Sequence, residues 1–133
     1  MPALESIALA PAQLVDQANA LMRAWELGDG EAYGSRLAEG ARMTIPAYDL
    51  DIVGFEALWG VRTHMKALTE GPLDLHSLDT HRVEGLTVSA LSHVISRATG
   101  QFTQHAEVSF TFDEAGKLLH YHQDILWADS QDS

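Results

Sequence analysis

The chain has 133 residues, 46% of them hydrophobic and 20% charged, and a formal net charge of −11 at pH 7. This length suits one domain with one core, and the composition is ordinary for a globular protein. The acidic balance argues against a nucleic acid or an anionic membrane as partner, because both need clustered Lys and Arg. The lack of cysteine excludes disulfides and thiolate chemistry.

No targeting or membrane-spanning signal is recognisable. The N-terminus lacks the basic and apolar regions of a signal peptide, and no stretch approaches the roughly 20 apolar residues of a membrane span. We therefore expect a cytoplasmic protein. A single domain is predicted over 1–133, with short tails at 1–10 and 128–133.

Three helices are predicted in the first half of the chain. The first runs from Ala12 to Leu27, because its apolar residues recur at helical spacing and Gly28-Asp29-Gly30 ends it. A second, short helix covers Glu31 to Ala38. The third covers Phe55 to Thr69 and is stopped by Gly71-Pro72.

Two strands are predicted among and after these helices. The first runs from Arg42 to Tyr48, and Pro46 indicates that it lies at a sheet edge or contains a bend. A loop follows at Asp49–Asp51. The second strand covers Leu73 to Val83 and ends at the turn Glu84-Gly85.

The last third of the chain predicts an antiparallel meander of three strands. Turn signals separate the segments 86–97, 101–112 and 117–127, which are rich in β-branched and aromatic residues. Helices followed by an antiparallel sheet indicate an α+β fold. A twisted sheet curled around helices leaves a cone with an open end, where a ligand pocket is expected.

Histidines and a carboxylate recur at the centres of these strands. His105 and Glu107 are two residues apart and must share a face, which makes them a candidate acid–base couple. His93 lies in the middle of the preceding strand. An imidazole both gives and takes a proton near neutrality. A slip of one residue in the strand register would turn these groups to solvent, so both placements stay open.

The sequence His120-Tyr-His122 points two imidazoles to the same side of a strand. A metal site needs a third ligand. Asp124 shares that face, but we place it away from the cavity. We therefore predict no metal here and interpret these histidines as solvated or as part of a dimer interface.

Four local patterns resemble the SnoaL-like branch of the nuclear transport factor 2-like (NTF2-like) superfamily. They are LGD at 27–29, VGFEAL at 53–58, LHSLDTHRVEG at 75–85 and EAGKLLHYHQD at 114–124. Their order and spacing cover nearly the whole chain. The resemblance implies a single-domain, cone-shaped α+β barrel, with three N-terminal helices packed on a curved, mostly antiparallel sheet. It also implies frequent dimers and enzymes without cofactors.

Within this branch the chain looks most like the dehydratases of the scytalone and bile-acid type. That resemblance implies catalytic roles for His76, on the strand after the third helix, and His93, on the next strand. It puts Glu26 at the place of an acid late in the first helix. Trp25 and Ile45 stand where the scytalone enzyme has tyrosines.

The resemblance also implies a set of residues that contact the substrate. Tyr121 would donate a hydrogen bond to a developing oxyanion, and Tyr48 would lie at the pocket rim. The full set of predicted contact residues is His105, Glu107, Tyr121, Gln123, Tyr48, Trp25 and Leu91.

These features predict a cofactor-independent lyase that acts by general acid–base catalysis on a small hydroxylated aromatic or cyclic substrate. The reaction would be a dehydration, or release of a small carbonyl fragment, in a homodimer. An isomerase, a polyketide cyclase or an epoxide hydrolase of the same fold are alternatives. The hydrolase is disfavoured, because its Asp, Arg and Asp positions read His93, Leu91 and Gln123 here.

A stress- or assembly-related dimer with a filled cavity and no small ligand is one further alternative. Another is a non-catalytic module that holds a ligand in the cone or a partner on the sheet. Such a module has no need of several ionisable groups in its cavity, since each is costly to bury unpaired. Ionisable groups on the outer, solvated face of the sheet would favour the binding module.

Overall fold

The computed structural model describes residues 10–67 and 75–128, without the side chain of Met65. These residues form three α-helices, namely α1 (Pro11–Leu27), α2 (Gly30–Ser35) and α3 (Phe55–Ala67). They also form six strands, namely β1 (Leu37–Ile45), β2 (Leu50–Val53), β3 (Leu75–Glu84), β4 (Thr87–Ile95), β5 (Phe102–Phe112) and β6 (Leu118–Ala128). No helix in the described ranges is long and apolar enough to cross a membrane.

All six strands belong to one curved, open sheet with the order β2-β1-β6-β5-β4-β3. The β1–β6 pair is parallel, and the other pairs are antiparallel. The helices pack on one side of this sheet, which we call the inner face; the other side is the outer face. The predicted α+β class, with three helices on a mostly antiparallel sheet, is confirmed.

The hydrophobic core lies between α1 and the inner face. Helix α1 contributes a stripe at helical spacing, Leu14, Ala18, Leu21 and Trp25, all buried. The sheet contributes alternate residues of β4 and β5, as a half-buried sheet requires. They are Val88, Ala90, Ala106, Val108, Phe110 and Phe112.

The region between α2 and α3 differs from the prediction. Strand β1 begins at Leu37, which pairs with Leu118, and α2 therefore ends at Ser35. It lies between β2 and β6, so the prediction that it could form a sheet edge is wrong. A second strand, β2, occupies most of the predicted loop and supplies the edge. Pro46 does produce the predicted bend, since Pro46–Tyr48 is a 3₁₀ turn.

The predicted ends of two elements, at Thr69 and Leu73, lie outside the described residues. Strand β3 begins at Leu75 and contains a bulge beside Thr80, whose φ of 57° is in the left-handed region. The meander itself is as predicted: β3, β4, β5 and β6 pair in sequence.

Bulges at one end of the meander change which side chains face inward. In β5, Gln104 pairs with Val94 but Phe102 pairs with Ile95, so an extra residue is inserted. A second irregularity pairs His105 with Trp127 and Ala106 with Ile125. Simple alternation therefore fails near these residues.

Candidate active site

A cavity of about 960 Å³ lies between the helices and the inner face. Its wall is mostly apolar, which suits a site for a small organic ligand. Helix α1 supplies Leu21, Met22 and Trp25, and α3 supplies Ala57, Gly60, Val61 and His64. The sheet supplies aliphatic and aromatic residues together with a few polar ones. These polar lining residues of the sheet and its turns are Tyr48, His76, Thr103, Gln104, Tyr121 and Gln123.

His76 lines this cavity, and Glu26 at the end of α1 contacts His76. The carboxylate of Glu26 accepts a hydrogen bond from the backbone N–H of His76, and its Oε2 lies 3.9 Å from His76 Nδ1. The side chains are only 12% and 14% exposed, respectively. The contact thus joins the end of α1 to the start of β3.

Arg62 on α3 holds the end of α1 in place. Its Nε donates to the carbonyl of Trp25, and its Nη2 donates to the carbonyl of Glu26 over 3.3 Å. These bonds satisfy carbonyl groups that a helix end leaves without partners. Gly28 ends α1 with a φ of 76°, and a Cβ there would lie 3.0 Å from Arg62 Nη2. Glycine suits this position because it adopts the positive φ of the turn and has no Cβ to block the guanidinium of Arg62.

An aromatic cluster packs α1, α2 and α3 together above the cavity. The ring of Tyr33 lies 5.5 Å from that of Trp25 and 5.2 Å from that of Trp59, and Phe55 stacks on Trp59. Asp29 caps α2 by accepting from Ala32 N at 3.1 Å, which fixes the start of the helix that carries Tyr33. Trp25 therefore forms wall and core, as expected.

Two tyrosine hydroxyls reach the cavity in their neutral form. Burial raises the pKa of Tyr33 and of Tyr121 well above the usual value, and the nearby Tyr33 phenol adds to the rise in the pKa of Tyr121. Tyr121 donates a hydrogen bond of 2.6 Å to Oε1 of Gln123. Tyr121 and Gln123 thus lie in the cavity, where they were expected.

The mouth of the cavity contains Tyr48 and His64. Tyr48 is 61% exposed and donates to Oε1 of Gln104 over 3.3 Å, so it lies at the rim as expected. His64 was not predicted. It follows Ala57 and Val61 at helical spacing, which is the signal that could have identified it.

Four predicted site residues lie on the outer face, away from the cavity. His93 pairs with His105 and Leu91 pairs with Glu107, and all four occupy positions opposite to the inward residues of their strands. The prediction that they face the pocket is therefore corrected. The reason is the strand register: the inward positions of β4 and β5 are taken by small and aliphatic residues, which pack under α1.

His93 is part of a hydrogen-bonded chain on this outer face. Its Nδ1 lies 2.7 Å from Nδ1 of His105, and its Nε2 lies 3.1 Å from Oδ2 of Asp79. The pKa of Asp79 is lowered, first by a hydrogen bond from Thr80 and then by the one from His93. Phe102 and Trp127 pack beside His105.

A second polar cluster on the outer face contains the His-x-His pair. The hydroxyl of Thr44 lies 2.8 Å from Nε2 of His120 and 2.6 Å from Nδ1 of His122, and Asp124 lies 3.2 Å from His122. The pKa of His120 is lowered, mainly by burial and then by the positive charge of Arg42. Within the described ranges, no group of three or more His, Asp or Glu side chains could hold a metal ion.

No protein-family model and no curated protein matches the sequence. Solved structures do match the fold. An NTF2-like protein of unknown function from Burkholderia xenovorans LB400 is 18% identical, with 92% of this chain and 88% of that one covered and a TM-score of 0.66. The chain has the NTF2-like fold.

Two other solved structures are described as candidate isomerases. One, of the SnoaL-like family from Agrobacterium tumefaciens C58, is 16% identical over 86% of this chain and 97% of its own, with a TM-score of 0.69. The other, a candidate ketosteroid isomerase from Kribbella flavida DSM 17836, is 14% identical over 90% of this chain and 82% of its own, with a TM-score of 0.68. Such identities show the fold alone, and function has to be argued from the site.

Proposed function

We propose that the protein is a cofactor-independent lyase or isomerase that works by general acid–base catalysis in the cavity. His76 is the acid–base group, and Glu26 orients it and stabilises its protonated form. The observation that carries the proposal is this carboxylate–imidazole pair, which is almost wholly shielded from solvent and whose His76 lines an apolar cavity of about 960 Å³. His93, the other predicted catalytic residue, has no part in this scheme because it lies outside the cavity.

An elimination of water balances with these groups. The imidazole of His76 takes a proton from carbon, and the electron pair of that C–H bond forms the new C=C bond. The C–O bond to the leaving hydroxyl breaks, and the imidazolium of His76 gives its proton to that oxygen, so that water leaves and the neutral imidazole is restored. An isomerisation uses the same first step, after which the proton is returned to a different carbon.

A carbon-bound proton that His76 has removed exchanges with solvent when the imidazolium releases it before returning it to carbon, which gives a test that works before the substrate is identified. The protein would be incubated in D₂O with a panel of cyclic and aromatic ketones and β-hydroxyketones. Mass spectrometry would then measure deuterium incorporation and loss of water. We expect exchange or elimination with at least one compound, above the rate in buffer.

A non-catalytic binding module is the second candidate, because many ionisable groups of the sheet lie on its outer face. NMR titration of the histidines with the same panel separates the two. Binding that shifts His76 without any exchange or elimination across the panel would favour the module. Exchange that disappears when His76 is replaced would favour the enzyme.

The homodimer remains a prediction. We expect the second copy of the chain to dock on the outer face. Phe102 and Trp127 are 53% and 46% exposed there, beside the hydrogen-bonded His93 and His105. Light scattering after gel filtration should give a dimer mass for the parent protein and a monomer mass for Trp127→Glu. A parent protein that elutes as a monomer would contradict the expectation.

A further inference from the structure

The hydroxyl of Tyr33 lies in the cavity without a protein partner. Tyr33 is 3% exposed and lines the cavity. Within residues 10–67 and 75–128, its hydroxyl makes no hydrogen bond. It is nevertheless not sealed into the core, unlike the buried, unpaired nitrogens Arg36 Nε and His81 Nε2. A buried hydroxyl without a partner is costly, and a ligand atom that accepts its hydrogen bond would offset that cost.

The ring that carries this hydroxyl is held in a fixed position. Trp25 and Trp59 pack around it at centroid distances of 5.5 and 5.2 Å, and Asp29 fixes the start of α2. A donor whose direction is set before binding loses little entropy when a ligand arrives. Tyr33 is therefore suited to recognition as well as to packing.

A second donor lies in the same cavity. The hydroxyl of Tyr121 donates to Oε1 of Gln123, so the N–H groups of that amide are left to face a ligand. Both tyrosines line this cavity, and the Tyr33 phenol adds to the rise in the pKa of Tyr121. Burial keeps both phenols protonated at neutral pH. Tyr33 offers its unpaired O–H to a ligand, whereas the O–H of Tyr121 is used by Gln123, whose amide N–H groups are the second donor.

Among the described residues, the cavity lining carries no permanently charged side chain. Its described lining contains no Arg, Lys, Asp or Glu side chain, and its ionisable groups are tyrosines and histidines. The chain as a whole carries a net charge of −11, which repels anions. An uncharged ligand with an oxygen that accepts hydrogen bonds fits both facts.

We propose that Tyr33, together with the Tyr121–Gln123 pair, forms a subsite for a neutral acceptor oxygen, such as a carbonyl or ether oxygen, on an otherwise apolar ring system. The proposal deepens the proposed function, because it concerns the same cavity. It adds the class of ligand and the residue that selects it. The test measures equilibrium binding alone, so its result does not depend on whether any reaction occurs.

Three ligands of matched shape would be compared with the parent protein, Tyr33→Phe and the control Ser109→Ala, which lies on the outer face. They are 2-acetonaphthone, which has a carbonyl, 2-ethylnaphthalene, which has none, and 2-naphthoate, which is an anion. Quenching of tryptophan fluorescence, to which Trp25 in the cavity wall contributes, would report Kd. In addition, the ¹³C shift of acetonaphthone labelled at its carbonyl would report a hydrogen bond directly.

We expect Tyr33→Phe to weaken ketone binding about five- to tenfold, as loss of one buried hydrogen bond does, and to change hydrocarbon binding less than about twofold. Ser109→Ala removes a hydroxyl from the outer face, away from the cavity lining, and should leave both constants nearly unchanged. Naphthoate should bind at least about tenfold more weakly than the ketone. The carbonyl shift of the bound ketone should move towards its free value in Tyr33→Phe.

Several results would overturn the subsite. Equal weakening of ketone and hydrocarbon by Tyr33→Phe would mean that Tyr33 only packs, and tight naphthoate binding would contradict the neutral class. If ketone and hydrocarbon bind with equal affinity to the parent protein, the subsite fails while the cavity stands. If neither binds, the cavity as a ligand site fails as well, and the proposed function with it.

The ligand-free variants give an independent measurement. Removal of an unpaired hydroxyl should leave Tm of Tyr33→Phe unchanged or slightly raised, whereas Tyr121→Phe breaks a bond to Gln123 and should lower it. A clear drop in Tm for Tyr33→Phe would show that the hydroxyl has a structural partner. If that variant fails to fold, the carbonyl shift in the parent protein still decides, since an unbonded carbonyl would contradict the subsite.

Discussion

The inner and outer faces of the sheet carry the same kinds of polar residue in different surroundings. On the inner side, the carboxylate of Glu26 lies 3.9 Å from the imidazole of His76 and both are nearly buried. On the outer side, Asp79 lies 3.1 Å from His93, but its side chain is 54% exposed. The shorter contact is thus the one in water. Solvent screens the charges of the outer pair. The comparison teaches that burial beside a cavity, rather than a short distance, makes a carboxylate–imidazole pair suited to acid–base catalysis.

Replacement of the histidine on each face is the strongest way to break this comparison. His76→Asn should lower the rate of exchange or elimination by about 10²- to 10⁴-fold, as loss of a general acid–base group does. His93→Asn, the matched control, should keep the rate within about twofold in a folded protein. The rates would be measured with the compound that the D₂O panel identifies. Full activity of His76→Asn would remove the inner pair from the mechanism.

An inward and an outward position of β5 test the contrast between the two faces by their effect on stability. Phe112 faces inward and is 1% exposed, so Phe112→Ala should lower the free energy of unfolding by about 3–5 kcal/mol. Ser109 faces outward, and Ser109→Ala should change it by less than about 0.5 kcal/mol. Urea denaturation followed by circular dichroism would give both values. Similar losses at the two sites would show that the outer face is packed against another surface.

Replacement of the carboxylate should reduce activity in the inner pair but not in the outer pair. Glu26→Gln keeps an acceptor for the backbone N–H of His76 but removes the charge, so activity should fall about tenfold, equivalent to roughly 1.4 kcal/mol. Asp79→Asn makes the equivalent change on the outer face and should not affect turnover. The measurement is the pH–rate profile of each variant. An Asp79 variant as impaired as the Glu26 variant would contradict the assignment of the site.

The smallest expected effect concerns pH and the outer cluster around His120. The folded protein lowers the pKa of His120 below its ordinary value of 6.5, mainly by burial, so folding favours the neutral ring. This stabilisation is complete at a pH above the pKa of His120 in the unfolded protein. It is lost as the pH falls from there through the pKa in the folded protein. Solvent screening keeps it within a few tenths of a kcal/mol. Urea denaturation at pH 7.5 and 5.5 should show a slightly larger loss in the parent protein than in His120→Gln.

Periodicity was enough to predict the α+β class, the long helices and the meander. It could not predict that β1 starts at Leu37, because that depends on a parallel partner, β6, from the far end of the chain. The same limit applies to the inward or outward direction of His93 and His105. Register and bulges determine that direction, and both depend on how α1 packs on the sheet.

The inner pair was predicted only through the resemblance to the dehydratases. Glu26 and His76 are 50 residues apart, and no local pattern connects them. Tyr33 was not predicted at all, because an aromatic residue on a short helix is most simply a core residue. The role proposed for Tyr33 rests on a hydroxyl that has no hydrogen-bond partner among the described residues, and only the folded structure reveals this.

Arg62 connects the mouth of the cavity with its acid–base pair. Helix α3 lines the mouth with Val61 and His64, and the adjacent Arg62 grips the carbonyls of Trp25 and Glu26. A displacement of α3 that widens the mouth would therefore pull on the turn of α1 that carries the Glu26 carboxylate. The Arg62 guanidinium and the ring contact between Trp25 and Trp59 thus tie the helix at the mouth to the end of α1 that carries Glu26.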